Sequence, residues 1–209
     1  LTCAFLRYEI GCRFDESGQS GRAARWLHRA LKAHPGVVPA YVRLGDLHFR
    51  GGRGDRALLY WERLLDRHPQ FAWLLFERLE SVYPTMNLEG KLAEICRRLA
   101  AADLSDWRSR LYLAEEAARR GDAEGAARWG LEALQAGPRS LTAHRAYWRA
   151  ALPSAGPVPK ALRDFLKATC GPGAGGDPHL CTLCRYRASE LLWRCPQCHT
   201  WASFTEDRG

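Results

Sequence analysis

Residues 38–71 read VPAYVRLGDLHFRGGRGDRALLYWERLLDRHPQF, and three landmarks within this stretch recur at one fixed spacing. Gly45, Ala57 and Pro69 each have a residue of the same type 34 positions earlier in the chain. Pro138 follows Pro69 by 69 positions, which is 34 plus 35. Because three independent landmarks share this period, the sequence predicts stacked helix-turn-helix units.

Each landmark has a physical role in a pair of packed helices. A small residue at Gly45 lets the second helix approach the first closely, and Ala57 does the same from the second helix. Pro69 ends the second helix because proline lacks an amide hydrogen. The resulting units cover residues 4–37, 38–71, 72–106 and 107–140.

The third unit, residues 72–106, departs from the pattern. It carries one extra residue around positions 83–87, and larger side chains fill its landmark positions. We therefore expect its helix pair to be splayed. Trp26 and Trp129 occupy equivalent places in the first and fourth units, and we interpret both as packing residues.

Beyond residue 140 we expect capping helices at about residues 141–152 and 160–169, so that the solenoid covers residues 1–170. Residues 171–178 read GPGAGGDP, and this density of glycine and proline predicts a flexible linker. A four-cysteine domain follows at residues 179–209.

The small-residue, alanine and proline positions resemble the tetratricopeptide repeat. The expected fold class is mainly α, a tetratricopeptide-repeat helical solenoid with a small C-terminal β-hairpin domain of zinc-ribbon or rubredoxin-like type. The resemblance implies that one set of side chains faces inward as a partner-binding or interdomain surface, where internal packing is the open alternative. This set is Tyr8, Val42, Asp46, Phe49, Arg50, Trp73, Phe76 and Glu80.

The C-terminal domain contains two C-x2-C pairs, Cys181 with Cys184 and Cys195 with Cys198. Each pair places two sulfurs on one side of a tight turn, and two such knuckles complete a tetrahedral cage of four thiolates. The intervening ten residues suit a short hairpin, and residues 201–204 are expected to supply a third strand.

The identity of the metal follows less directly, because tetrahedral thiolate sites accept both zinc and iron. The second knuckle looks like that of a rubredoxin, yet Arg185 and His199 follow the two knuckles where rubredoxins favour glycine. We expect one zinc ion per chain and keep iron as the alternative. His179 and His199 are expected to lie outside the ligand set.

The composition of the chain limits the classes of function that it can have. The chain has a formal net charge of +8, 46% hydrophobic and 26% charged residues, and no uninterrupted apolar stretch of 18 residues. It contains no Ser/His/Asp constellation, so we do not expect an enzyme. Four of its eight cysteines are scattered, which favours a reducing cytoplasm over a secreted disulfide scaffold. Because the chain starts at Leu1 and its single methionine is Met86, we expect it to be a fragment of a longer protein.

Repeats followed by a four-cysteine domain resemble the lipopolysaccharide assembly protein B family, most specifically over residues 192–201, LWRCPQCHTW. The resemblance implies a non-enzymatic adaptor on the cytoplasmic face of the bacterial inner membrane that presents the deacetylase LpxC to the membrane protease FtsH. It also implies an inner-membrane antagonist as a partner, and an N-terminal membrane anchor that this soluble chain lacks.

Three alternatives stay open from the residues alone: a protein scaffold of another pathway, an iron electron carrier, and a zinc-ribbon nucleic-acid binder. We do not expect nucleic acid as a partner, because the ribbon has four arginines against three acids and no basic stripe. We also expect the metal domain to dock on the solenoid, against Phe49, Trp73 and Phe76, because its own apolar residues exceed what so small a domain buries and should leave an exposed patch. These apolar residues are Leu191, Leu192, Trp193, Trp201 and Phe204.

Overall fold

A computed structural model of the chain describes residues 1–151, 160, 164 and 178–206. Residues 171–177 of the predicted linker at 171–178 and most of the predicted helix at 160–169 lie outside these residues. The chain divides into two compact units, residues 1–89 and residues 90–209, and each is described by itself. The described residues are mainly helical with one small C-terminal sheet, so the predicted fold class is confirmed.

The first unit contains two regular helix pairs followed by shorter, irregular turns. Its α-helices are α1 (Thr2–Glu16), α2 (Ser20–Ala33), α3 (Val38–Arg50), α4 (Gly54–Arg67) and α5 (Phe76–Val82), and its 3₁₀ helices span Pro69–Leu75 and Pro84–Met86. Helix α2 ends before Pro35 and α4 before Pro69, as the missing proline amide requires.

The crossing of α3 and α4 shows why a glycine is needed at position 45. A Cβ atom on Gly45 would lie 2.0 Å from Trp61 Nε1, so no larger residue fits without moving the indole. Trp61 is fully buried, and its Nε1 donates to the Val42 carbonyl oxygen at 3.4 Å. The crossing of α1 and α2 is similar, because a Cβ on Gly11 would lie 2.9 Å from Leu27.

Ion pairs join successive helix pairs of the first unit. Asp15 at the end of α1 contacts Arg43 Nε at 2.8 Å and Arg50 Nη2 at 2.6 Å, both on α3. Asp46 on α3 accepts two hydrogen bonds from Arg78 on α5, at 2.6 and 3.0 Å. Because Asp15 is largely shielded from water, its bonds to arginine are stronger than those of an exposed pair.

The predicted third unit is irregular in the region where the sequence departs from the period. A 3₁₀ helix replaces the start of its first α-helix, and Asn87 and Gly90 adopt left-handed backbone conformations with φ of 55° and 81°. Helix α5 is only seven residues long because Pro84, which lacks an amide hydrogen, follows it closely, and the left-handed Asn87 ends the 3₁₀ helix that comes next. This unit crosses the border between residues 89 and 90, and its predicted splay stays a prediction.

The second unit begins with four α-helices: α6 (Lys91–Ala102), α7 (Trp107–Arg119), α8 (Ala123–Ala136) and α9 (Leu141–Ala151). The Asp106 and Asp122 side chains cap α7 and α8 by accepting from backbone amides at 3.1 and 2.8 Å.

Arg110, on α7, is buried and ties that helix to the end of α6. Its guanidinium donates to the carbonyl oxygens of Ala100, Asp103 and Asp106 at 2.7 to 3.0 Å. None of the helices in the described part of the chain has the length and apolar character needed to cross a bilayer.

Candidate metal centre

The C-terminal ribbon, residues 179–206, is built on three short antiparallel strands. They are β1 (His179–Cys181), β2 (Arg187–Ala188) and β3 (Phe204–Glu206), in the order β2-β1-β3. Leu180 pairs with Arg187 on one side and with Thr205 on the other. The predicted third strand at 201–204 therefore begins later, at Phe204, while Trp201 forms an isolated bridge with Arg194.

The two cysteine knuckles have matching backbone conformations. Arg185 and His199, which follow the second cysteine of each knuckle, have φ of 63° and 59°. The Arg185 amide donates to the Cys181 carbonyl oxygen at 3.0 Å, and the His199 amide donates to that of Cys195 at the same distance. The ribbon therefore adopts the left-handed knuckle geometry without the glycines that this position favours.

The knuckles bring the sulfurs of all four cysteines within 4.8 Å of one another. Cys181 Sγ lies 3.7 Å from Cys198 Sγ, and Cys184 Sγ lies 3.4 Å from Cys195 Sγ. A tetrahedral site with metal–sulfur bonds of about 2.3 Å requires sulfurs separated by about 3.8 Å. Both of these separations lie within about 0.4 Å of that value, and no two of the four sulfurs are more than 4.8 Å apart, so the four side chains fit a single metal ion.

Hydrogen-bond donors around the sulfurs favour thiolates. The Cys184 backbone amide and the Ser203 hydroxyl, 3.3 Å from the sulfur, lower the pKa of Cys181 to about 6. The hydroxyl and amide of Thr200 lower the pKa of Cys198. The Tyr186 amide acts in the same direction on Cys184, but burial and the neighbouring thiols raise the pKa of Cys184 to about 12.

Four thiolates this close together repel one another, because each added negative charge disfavours the next. A divalent ion removes that repulsion, and with four protein ligands it leaves no coordination position for a catalytic water. The arrangement is that of a structural metal site.

The ribbon buries few side chains besides its cysteines. Leu180, Cys181 and Cys195 are its buried apolar residues. The five apolar residues for which we expected a large exposed patch, Leu191, Leu192, Trp193, Trp201 and Phe204, are all half-buried. The exposed apolar side chains of the ribbon are instead Leu183, 66% exposed, and Tyr186, 38% exposed.

An ion pair joins the ribbon to a helix of the second unit. Glu206 on β3 pairs with Arg108 on α7, and the Arg108 guanidinium also lies 4.5 Å from the centroid of the Trp107 ring. Sequence reasoning did not identify this pair, since neither residue belongs to a motif. Docking against Phe49, Trp73 and Phe76 of the first unit stays a prediction.

The inward set predicted from the repeat frame lies within the first unit, where two members make ion pairs. Asp46 binds Arg78, and Arg50 binds Asp15. Phe49 is 43% exposed and its ring centroid lies 6.0 Å from that of Trp61. The others are half-buried: Tyr8, Val42, Trp73, Phe76 and Glu80. Burial also raises the pKa of Tyr8, so its hydroxyl stays neutral. Partner binding by this set stays a prediction.

Sequence reasoning also missed Thr200 and Ser203, whose hydroxyls lie within hydrogen-bond distance of the sulfurs of Cys198 and Cys181. The signal available was weak, because serine and threonine are common after any turn. Only the sheet register, which places the Thr182 amide 2.8 Å from the Ser203 carbonyl oxygen, brings Ser203 to the sulfur of Cys181.

Comparisons with known proteins agree with both parts of this architecture. Residues 179–206 match the family described as the rubredoxin metal binding domain, in its LapB zinc-ribbon form, and residues 8–73 match the tetratricopeptide repeat. Lipopolysaccharide assembly protein B of Haemophilus influenzae is 25% identical over 187 residues, which are 85% of this chain and 45% of that protein. The resemblance drawn from the repeats and the cysteine ribbon is thus confirmed, while the chain spans less than half the length of this relative.

Solved structures that resemble part of this chain include those of MamA. A crystal structure of MamA has a TM-score of 0.45 at 17% identity, covering 79% of this chain and 87% of MamA. MamA from Desulfovibrio magneticus RS-1 has a TM-score of 0.44 at 16% identity, covering 79% of this chain and 88% of that one. At these scores the likeness carries no argument about function.

Proposed function

We propose that this chain is the protein-binding part of a non-enzymatic adaptor in lipopolysaccharide assembly, and that it presents the deacetylase LpxC to the membrane protease FtsH at the cytoplasmic face of the inner membrane. One observation carries the proposal. A tetratricopeptide-repeat match and a LapB-type ribbon match occur on one chain, in the order that the resemblance implies.

The chemistry of the ribbon supports a structural role and not a catalytic one. Its four cysteine sulfurs converge on one point, so a bound ion has a complete set of protein ligands. What such an ion supplies is folding free energy, on the order of 10 kcal/mol or more, to a domain with a very small apolar core. We propose zinc as this ion.

Elemental analysis of protein produced in metal-balanced medium tests the choice of metal. We expect one equivalent of zinc and a colourless protein. Stoichiometric iron with a visible thiolate-to-metal absorption band would instead favour an electron carrier. A Cys3→Ser variant is the matched control, because Cys3 is exposed and lies outside the ribbon.

The lifetime of LpxC in the native host tests the adaptor role. We expect depletion of the full-length protein to lengthen the half-life of the deacetylase, and re-expression to restore it. Re-expression of the Cys195→Ser variant should fail to restore it if the ribbon is required. An unchanged half-life after depletion would reject the LpxC assignment.

A further inference from the structure

Four side chains from three helices and a turn contact one another in series within the first unit. His48, near the end of α3, is only 9% exposed, and its ring stacks on that of Tyr60 of α4 with centroids 5.3 Å apart. The Tyr60 hydroxyl lies 3.3 Å from Nε2 of His28, on α2. Arg53, in the turn between α3 and α4, donates from its Nε to His48 Nδ1 at 3.1 Å. These four residues, which we call the histidine latch, connect α3 to α4 and both to the preceding repeat.

The hydrogen bond from Arg53 fixes the protonation state of His48. A guanidinium can only donate, so Nδ1 of His48 carries a lone pair and the ring is neutral, with its single proton on Nε2. Arg53 is also held in place by its backbone amide, which donates to the His48 carbonyl oxygen at 3.0 Å. A second proton on the ring would therefore replace the acceptor by a donor and set two cations against each other.

The charges that most affect the two histidines also oppose a second proton. Burial holds the pKa of His48 below its usual range, and three cations act in the same direction: Arg53, Arg56 and His28. Burial and Arg63 lower the pKa of His28, which is the more exposed of the two rings. A histidine whose pKa falls on folding stabilises the fold above its unfolded pKa of about 6.5 and loses that contribution as the pH falls through the folded pKa.

The first repeat has an aromatic ring at the same position that cannot take up a proton. Shifting His48 and Arg56 back by one period of 34 gives Phe14 and Arg22, and the Arg22 guanidinium lies 5.7 Å from the Phe14 ring centroid. A phenylalanine beside an arginine thus fits this place in the repeat. The variant His48→Phe copies an arrangement that the chain already contains, and it removes the titrating group.

We propose that the histidine latch is acid-sensitive, so that it holds α3 and α4 together and against α2 at neutral pH and opens when His48 gains a second proton. Opening begins at the bond from Arg53, because the protonated ring repels the guanidinium. The turn between α3 and α4 then loosens, and with it the contact of Tyr60 with His28. The joint between the first two repeats would in this way respond to mild acidification.

Thermal unfolding of the whole chain at about pH 7.5 and about pH 5.5 tests the latch. We expect the melting temperature of the unaltered chain to fall by about 3 °C more between these pH values than that of His48→Phe. His48→Gln should resemble His48→Phe, because its amide oxygen can accept from Arg53 without titrating. His34→Gln is the matched control, since His34 is exposed and outside the latch, and it should keep the full fall. The ribbon is common to all of these proteins, so its own response to acid cancels.

Hydrogen exchange at about pH 5.5 locates the change. We expect the amides of α3 and α4 to exchange about fivefold faster in the unaltered chain than in His48→Phe, while those of α7 and α8 exchange equally in both. The same fall in melting temperature in the unaltered chain and in both His48 variants would overturn the proposal, as would faster exchange spread evenly over all these helices. The latch does not depend on the adaptor role, so the two proposals fail separately.

Discussion

The second helix pair, residues 38–71, and the ribbon, residues 179–206, are of similar length but are held together in different ways. The helix pair buries ten apolar side chains, among them Leu44, Trp61 and Leu64. The ribbon buries three, and two of them are the cysteines Cys181 and Cys195. Apolar burial stabilises the first, whereas the second depends on whatever neutralises its four sulfurs. One chain thus contains two modules that should fail under different conditions.

Metal removal should separate the two modules most strongly. We expect a strong chelator, or the Cys195→Ser variant, to unfold the ribbon, because about 10 kcal/mol of folding free energy is lost. The helical circular dichroism should persist. Limited proteolysis should then cleave within residues 179–206 and spare residues 1–89. A loss of helical signal in parallel with the metal would show that the two modules are not independent.

Overpacking of the helix crossing should produce the opposite pattern. Gly45→Val places side-chain atoms where Trp61 lies, and we expect it to lower the free energy of unfolding of the helices by about 3 kcal/mol. Metal stoichiometry should not change. Gly21→Ala is the control, because nothing lies within 4 Å of a Cβ at that position, and urea denaturation measures both variants.

Substitution of Arg110 tests whether polar contacts between the helices contribute as much to stability as apolar ones do. Arg110→Met removes the donor from three carbonyl oxygens, and we expect a loss of about 2 kcal/mol in stability. Arg97→Met, an exposed change on α6, should have almost no effect in the same thermal unfolding measurement. A negligible effect of Arg110→Met would mean that water satisfies these carbonyls equally well.

The smallest expected effect concerns strain in the ribbon. His199 has φ of 59°, which costs a residue with a Cβ about 1 kcal/mol. His199→Gly should relieve that strain and, after the greater flexibility of unfolded glycine is counted, stabilise the loaded ribbon by about 0.5 kcal/mol. Chelator competition measures this change. Gln197 does not have a left-handed conformation, so Gln197→Gly relieves no strain and should instead weaken metal retention.

Features with a local sequence signature could be predicted, and those that depend on distant packing could not. The period of 34 indicated the regular helix pairs, and the spacing of Cys181, Cys184, Cys195 and Cys198 indicated the cluster. Nothing local predicts that Trp61 packs on Gly45, because the two side chains meet only after the helices cross. The 3₁₀ helix at Pro69–Leu75 was missed because its sequence suits an α-helix equally well.

The close contact of Gly45 with Trp61 also has a consequence for exchanging helices between repeats. When the repeats are aligned by their period, the positions of Gly45 and Trp61 correspond to Gly11 and Leu27 in the first repeat. In the fourth repeat they correspond to Ala114 and Gly130. The larger residue sits on the second helix in the first two pairs and on the first helix in the fourth. A chimera that joins α1 to α4 keeps a glycine opposite the indole, whereas one that joins α7 to α4 puts a methyl group there. The side-chain volumes at these two positions should therefore covary among related repeats. The two helices of a repeat should then be exchangeable only together.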